Sequence, residues 1–551
     1  MKSILGLILI YFILLSCEQE TLIKKWEVFD IPLEAAGNYE NPYMEMDVTG
    51  IFTSPTGKEK HIQAFWDGGG SFILRFTPDE EGTWTYSILN NMDDRGLQKS
   101  GSLMVKGTMP GSRGFVRRDA QYPYHFVYDD GTRYYMCGTT YYNILLNALA
   151  GDHWKSAIDS VLPFGINKFR AHAIPKKNEV TPHPQVHPFE SEGDSLDHTR
   201  LNLKHWKKLD EVVAYSNEKG MVVDLMPFGF ERESYSGDSL LDQRYLRYVI
   251  ARYAAYPNII WCIVNEWNYR HRSLGLSKPY FSMMGETIRE EDPWMQNGEY
   301  LRPLSIHQQT RIDFQFFNYD WPVHAIIQLG VRSGQGVVPD EWDIPAATQP
   351  LFRHGDQWGN AGILFNLGQD MPVVNDEYGY MGEPRDRAAS DSPNRDEWPA
   401  FTRERHRNVI WGIAVAGGYG SAGDKYTYDD GRPYFSANWH SDPREYSDIK
   451  HLVDFFTKGG LEYWKMSSHN ELITAGERVY AFAEPGRSYV FYAAAGGSFS
   501  AEIVAGDYQM VRYDPRTGES DHQGTITGGK VDIATPDARD WVIYLDNTLD
   551  R

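Results

Sequence analysis

Between residues 115 and 466 the chain alternates short apolar runs with helical stretches, and this alternation restricts its fold more than any other feature. Residues 134–140, 165–170, 221–226 and 259–264 are such runs, followed by 304–307, 325–328 and 372–375. Residues 152–161, 202–219 and 242–255 read as helices. In the second of these, Trp206, Leu209 and Val213 recur at spacings of three and four, which gives one apolar face, and Gly220 ends it. A strand apolar on both faces must be covered on both. Repeated strand–helix units over this length therefore predict an α/β fold, a parallel sheet closed into a (β/α)8 TIM barrel. The alternative is an open doubly wound sheet, which should carry a glycine-rich nucleotide turn. None is present. Gly68-Gly69-Gly70 leads into a strand without Gly-Lys-Ser/Thr, so it is no phosphate loop.

The flanks have a different texture. Residues 26–106 carry short alternating strands, 44–48 and 71–76 among them, separated by turns at Pro55-Thr56-Gly57 and Glu81-Gly82. They predict an immunoglobulin-like antiparallel β-sandwich. Residues 107–114 read as a linker and 115–466 as the barrel. Residues 470–551 return to short strands and predict a C-terminal β-sandwich.

The start of the chain looks like an export signal. Lys2 precedes an apolar run, residues 4–15, that is short for a membrane span, and Leu14-Leu15-Ser16-Cys17 follows. The expectation is a lipoprotein signal over residues 1–16, a lipid on Cys17 and a tether over 17–25. Such a protein would sit in the cell envelope, in the outer membrane and exposed at its surface. An ordinary cleaved signal with a chance cysteine is the alternative. The chain has 3 cysteines in all; Cys137 and Cys262 fall in apolar strands and read as buried free thiols rather than a disulfide framework. No CxxC or HExxH spacing occurs, so neither a metal nor a cofactor is expected. A net charge of −21 speaks against nucleic acid as a partner. Aromatic residues make up 14% of the chain, which serves large cores or sugar-stacking surfaces equally well.

Barrel enzymes carry their chemistry at the C-terminal ends of the strands. Here two strands, the fourth and seventh in order, run into glutamate: Asn265-Glu266-Trp267 and Asn375-Asp376-Glu377-Tyr378. These strands face each other across a barrel mouth, and glycoside hydrolysis needs one carboxyl on each side of the anomeric carbon. A retaining mechanism makes Glu266 the acid/base and Glu377 the nucleophile, with carboxyls about 5–5.5 Å apart. Strand alternation puts Asn375 and Glu377 on one face and the rival Asp376 on the other. Asn265 and Glu266 reach the same cleft only if their strand ends in a bulge or bend. Either glutamate alone could instead cap a helix or pair with an arginine.

These strands, with Tyr256-Pro257-Asn258-Ile259-Ile260-Trp261 and Gly165-Ile166-Asn167-Lys168-Phe169-Arg170, resemble clan A glycoside hydrolases. The nearest form is the apiosidase-like barrel family. The flanks are similar to modules that accompany it: 72–86 to its N-terminal β-sandwich, and Tyr513-Asp514-Pro515-Arg516-Thr517-Gly518-Glu519 to a C-terminal β-domain named for collagen binding. The resemblance implies a carbohydrate substrate, a plant or algal polysaccharide or its oligosaccharides. It places Asn265 on the sugar 2-hydroxyl and Arg170 beneath Glu377. His172 and His307 would bond sugar or orient a glutamate, and Gln328 would bond Glu377 where many clan members use tyrosine. Trp267, Tyr141, Tyr378 and Tyr419 would wall the sugar subsite, or simply pack. The clan's eighth-strand tryptophan is replaced by Gly417-Gly418-Tyr419-Gly420-Ser421. Two other classes compete: a non-catalytic glycan-binding lipoprotein that keeps the barrel as scaffold, and a polysaccharide lyase. The flanking modules read as spacers rather than binders, since no aromatic platform can be placed in them.

Overall fold

The computed structural model describes residues 21–142, 144–151, 153–174, 187–192, 195–229, 232–268, 274–309, 312–329, 355–379, 403–423 and 443–547. The signal segment and Cys17 lie outside these residues. So do much of the loops after the second and sixth barrel strands.

The central sheet has eight strands: Cys137–Thr140, Lys168–His172, Val222–Met226, Ile259–Cys262, Leu304–Ser305, Ala325–Ile327, Val373–Asn375 and Tyr419–Gly423. In space they run fifth, fourth, third, second, first, eighth, seventh, sixth, with parallel neighbours throughout. The fifth and sixth strands meet through Val323 N–H donating to the Leu304 carbonyl at 2.8 Å, so the ring is nearly closed. Every described residue of the second, third and fourth strands is buried, as a sheet wrapped by helices requires. Helix Leu203–Glu218 buries Trp206, Leu209 and Val213, the apolar stripe seen in the sequence. Helix Ser239–Tyr253 starts earlier than the pattern predicts, because the Asp238 carboxylate caps it by accepting from Leu240 N–H at 2.9 Å. Below the strands a small sheet of 5 short strands, from Val116–Arg118 to Tyr300–Leu301, closes the foot of the barrel.

The N-terminal part is a sandwich of a five-stranded and a three-stranded sheet. Thr21–Lys25 pairs parallel with Lys99–Thr108, so the tether expected over residues 17–25 gives way to a strand at Thr21. The strand expected at 44–48 is replaced by a helical turn, Pro42–Glu45. Proline near a helix start is pre-organised for it, and the strand begins only at Val48. This sandwich is clamped to the barrel by buried polar contacts. Arg75 donates to the Arg252 carbonyl at 2.8 Å, and the Thr77 hydroxyl donates to the Ala255 carbonyl at 2.7 Å.

The C-terminal part is one continuous sheet of 7 strands rather than two separate sheets. Its long strands Ser498–Tyr513 and Ser520–Ala534 bend at register shifts and enclose a core of Phe491, Phe499, Tyr508 and Ile543. It docks on the barrel through the buried pair Arg407–Asp540 at 2.6 Å and the stacked rings of Trp411 and Tyr492. Among the described residues no helix is long and apolar enough to cross a membrane.

Candidate active site

Side chains two apart on a strand share a face. On the second strand this sets Lys168, Arg170 and His172 in one column, each fully buried inside the barrel. On the first strand the inward phase includes Gly138, whose missing side chain leaves room for Ser421 and Lys168. Tyr142 shares that phase and Tyr141 does not. Tyr142 donates its hydroxyl to Glu377 Oε2 at 2.5 Å, whereas the Tyr141 hydroxyl donates to the Ala157 carbonyl on the helix behind the sheet.

Glu377 follows the seventh strand and is almost wholly buried. Arg170 Nη2 donates to the same Oε2 at 2.9 Å and to the Tyr142 hydroxyl at 2.5 Å. Arginine only donates and a carboxylate only accepts. The tyrosine therefore relays, accepting from Arg170 and donating to Glu377. Asp376 also lies inside the barrel, 2.7 Å from Lys168 Nζ and 3.4 Å from Arg170 Nε, and accepts from the Ser421 hydroxyl. Strand alternation had placed Asp376 and Glu377 on opposite faces. The strand ends at Asn375, and beyond it the Asp376 N–H donates to Ile327 on one neighbour while the Tyr378 N–H goes to Ser421 on the other. A regular strand would send both the same way. The break lets two consecutive carboxylates face inward.

Across the mouth, the fourth strand ends at Cys262 and Glu266 adopts φ +47, a left-handed conformation rare outside glycine. This bend lets Asn265 turn inward, where its Oδ1 accepts from Arg170 Nη1 at 3.0 Å. Glu266 is half-buried, and its N–H donates to His307 Nδ1 at 3.2 Å. His307 Nε2 stands 3.9 Å from Glu377 Oε2. Burial, with Arg170, Lys168 and His172 nearby, keeps the His307 pKa well below the ordinary histidine value. With Nδ1 accepting, the proton of the neutral ring sits on Nε2, facing Glu377. Arg170 thus ties the ends of the fourth and seventh strands together, and His307 bonds the fourth only, its Nε2 having no hydrogen-bond partner among the described residues.

The model of the apiosidase-like catalytic domain matches residues 121–438, more than half of the chain. The chain belongs to the apiosidase-like family. A domain of unknown function, DUF5060, matches residues 22–91. Among solved structures, the chain is similar to a candidate glycoside hydrolase from Bacteroides vulgatus ATCC 8482: 19% identity, TM-score 0.74, covering 96% of this chain and 100% of the other. It is also similar to a glycoside hydrolase family 5 protein of the same organism, with 14% identity, TM-score 0.61 and coverage of 80% and 95%. At these identities the likeness is one of fold. No relative is found among curated proteins.

In this apiosidase-like barrel several residues expected at the sugar subsite have other duties. Tyr419 sits at the start of the eighth strand, at the foot, with its hydroxyl 2.8 Å from His125 Nδ1. The Tyr378 hydroxyl lies 3.0 Å from His406 on helix Arg403–Ala414, because the break after Asn375 turns it outward. Trp267 is buried edge-on against Phe281 and Phe316. Gln328 follows the sixth strand; the hydrogen bonds to Glu377 Oε2 come from Tyr142 and Arg170, and the buried Gln328 Oε1 has no partner among the described residues. Tyr142 from the first strand takes that place. His172 packs its ring against Tyr142 at 5.2 Å. Tyr142 went unnoticed in the sequence although it shares the phase of Gly138, the one signal that separates it from Tyr141.

Beneath the mouth lies a buried ionic cluster. Lys168 bridges Asp376 at 2.7 Å and Asp224 at 3.0 Å, all three fully enclosed. Burial opposes the Lys168 charge, but Asp376 and Asp224 raise its pKa. Burial likewise opposes the Asp376 charge, and Lys168 and Arg170 lower its pKa below the usual aspartate value. For Asp224 burial wins and the pKa rises. The thiol of Cys137, buried and free, is pushed up to about 12 by burial. No cluster of metal-ligating side chains occurs among the described residues.

Proposed function

We propose that the protein is a retaining glycoside hydrolase acting on a plant or algal polysaccharide or its oligosaccharides. One observation carries the reading: Glu377 is fixed by Tyr142 and Arg170 at the end of the seventh strand, and Arg170 continues to Asn265 beside Glu266 at the end of the fourth. In this mechanism Glu377 attacks the anomeric carbon while Glu266 protonates the leaving oxygen. Glu266 then deprotonates the water that releases the sugar from the glycosyl ester. Arg170 and Tyr142 orient the nucleophile, and Asn265 bonds the neighbouring hydroxyl. Asp376 is a weaker nucleophile candidate, because Lys168, Arg170 and Ser421 already occupy it and it is fully buried.

The test is hydrolysis of a plant and algal glycan panel by the wild type, Glu266→Gln and Glu377→Gln. Both variants should lose at least about a thousandfold in kcat, the scale expected when a reacting group is removed. Near-full activity in either variant would remove that glutamate from the mechanism. Binding without turnover by the wild type would favour the non-catalytic glycan-binding reading. The cell-envelope placement rests on Leu14-Leu15-Ser16-Cys17. Cys17→Ala should shift the protein out of the membrane fraction, and an unchanged distribution would refute lipidation there.

A further inference from the structure

Two consecutive carboxylates enter the barrel, and their surroundings differ. Glu377 is bonded at the mouth by Tyr142 and Arg170. Asp376 is wholly enclosed beside Lys168, which stands two residues before Arg170 on the second strand. Lys168 Nζ donates to both Asp376 oxygens, at 2.7 and 2.8 Å, and the Ser421 hydroxyl donates to Oδ1. The arrangement draws on several strands. Lys168 belongs to the second and Ser421 to the eighth, and a side chain at Gly138 on the first would collide with Ser421 Oγ and Lys168 Cε. The proposed reaction gives this firmly held carboxylate no role.

Arg170 is fully buried between the two carboxylates. Its Nη2 bonds Glu377 at 2.9 Å, and its Nε lies 3.4 Å from Asp376 Oδ2. The second contact is ionic rather than a hydrogen bond, since Nε has no hydrogen-bond partner among the described residues. Asp376 therefore acts on Arg170 through its charge. Lys168 and Arg170 occupy successive inward positions of one strand, and two enclosed cations so placed repel each other. The Asp376 charge touches both and offsets that repulsion. Without it, Arg170 would be driven toward the mouth. Its planar fork would then leave the directions that now match Asn265 and Glu377.

We propose that Asp376 is a positioning residue for the nucleophile: fixed by Lys168 and Ser421, it holds Arg170 at the depth from which Arg170 aims Glu377. The inference rests on the glycosidase reading, in which Glu377 attacks.

The test joins crystal structures to kinetics for the wild type, Asp376→Asn, Ser421→Ala and Asp224→Asn. Rates are measured on whichever of xyloglucan, arabinoxylan, homogalacturonan and laminarin the wild type hydrolyses. Asparagine keeps the shape of Asp376 and removes its charge. The Arg170 guanidinium should then move toward the mouth by about 1 Å, and kcat should fall about 10–100-fold, the scale of such a misplacement. KM should stay within about twofold, because substrate binding is not what the change disturbs. Ser421→Ala removes one hydrogen bond and no charge; it should shift Asp376 and Arg170 less and lower kcat about threefold. It carries the test if Asp376→Asn does not fold. Asp224→Asn should leave kcat unchanged, because Asp224 bonds Lys168 and not Arg170. An unmoved Arg170 in Asp376→Asn overturns the proposal whatever the activity, and so does a moved Arg170 with wild-type kcat. An equal loss in Asp224→Asn overturns it too, since charge anywhere in the cluster would then suffice. If the wild type hydrolyses none of these glycans but Arg170 still moves, the hold of Asp376 on Arg170 stands and the glycosidase reading falls.

Discussion

At the mouth of the barrel, Arg170, Glu377, Asp376 and Lys168 form one chain of charges within bonding distance. At the foot, His125 bonds Tyr419, and Phe126 packs edge-on against His324 and tilted against Tyr419. The mouth groups stand on or just beyond the barrel strands, whereas at the foot only Tyr419 does; Phe126 belongs to the small sheet, and His125 and His324 to the segments beside it. The mouth sets Lys168 and Arg170 against the carboxylates of Asp376 and Glu377. At the foot, burial keeps His125 and His324 neutral, with pKa values down to about 3, while the nearby Arg117 is paired with Asp129 at 2.8 Å. An enclosed charge is tolerated only when paired, and His324, whose ring nitrogens have no hydrogen-bond partner among the described residues, stays uncharged.

The strongest way to break this contrast is to unpair the mouth. Lys168→Met leaves Asp224 and Asp376 facing each other in the interior. Removing one partner of a buried pair costs about 3–5 kcal/mol, and urea unfolding should read that loss. The matching change at the foot, His324→Leu, should cost far less, because neither imidazole nitrogen has a hydrogen-bond partner among the described residues. Equal losses in the two variants would refute the distinction between the paired Lys168 and the unpaired His324.

A smaller effect is expected at the two tyrosines. Tyr142→Phe deletes the hydroxyl that donates to Glu377, and a hydrogen bond to a charged group contributes about 1.5–3 kcal/mol. kcat should fall about 10–150-fold with KM little changed. Tyr419→Phe, which deletes a hydroxyl bonded to His125 at the foot, should leave kcat as it was. If kcat is indifferent to Tyr142→Phe, the relay from Arg170 does not position the nucleophile.

The smallest effect is graded with pH. His125 and His324 are held neutral in the folded protein, while in the unfolded chain they gain a proton near about 6.5. Between about pH 6.5 and 3 the unfolded state then binds more protons, so stability is full above that window and falls as pH drops through it. Each histidine adds a slope approaching about 1.4 kcal/mol per pH unit. Unfolding free energies from pH 7.5 to 5 should show this decline, and His324→Leu should flatten it by about one proton. An unchanged slope would mean that His324 is already protonated in the folded state.

Much of the architecture was legible in particular residues. Trp206, Leu209 and Val213 announced their helix, and the apolar runs before Glu266 and Glu377 announced the fourth and seventh strands. Periodicity of this kind is a local property, and burial on one face or two writes it directly into the sequence. The site was legible in part. Arg170, Asn265 and His307 gather between the glutamates. Tyr141, Tyr378 and Tyr419 looked equivalent to them but belong to the packing behind or beneath the sheet. Residue type says that a ring is apolar with a polar tip, and both settings suit it.

By itself, then, the sequence determined the order of strand and helix, the closure into a barrel between two β-rich flanks, and the two strands that run into glutamate. Only the tertiary structure decided which side chains enter the mouth. The phase of the first strand turns Tyr142 in and Tyr141 out. A positive φ at Glu266 and the broken hydrogen-bond pattern after Asn375 bring both members of Asn265-Glu266 and of Asp376-Glu377 toward one cleft. Such irregularities leave no period in a sequence, because they arise where a strand leaves its neighbours, and the pairing that stabilises them comes from residues more than a hundred positions away along the chain, as between Arg170 and Glu377.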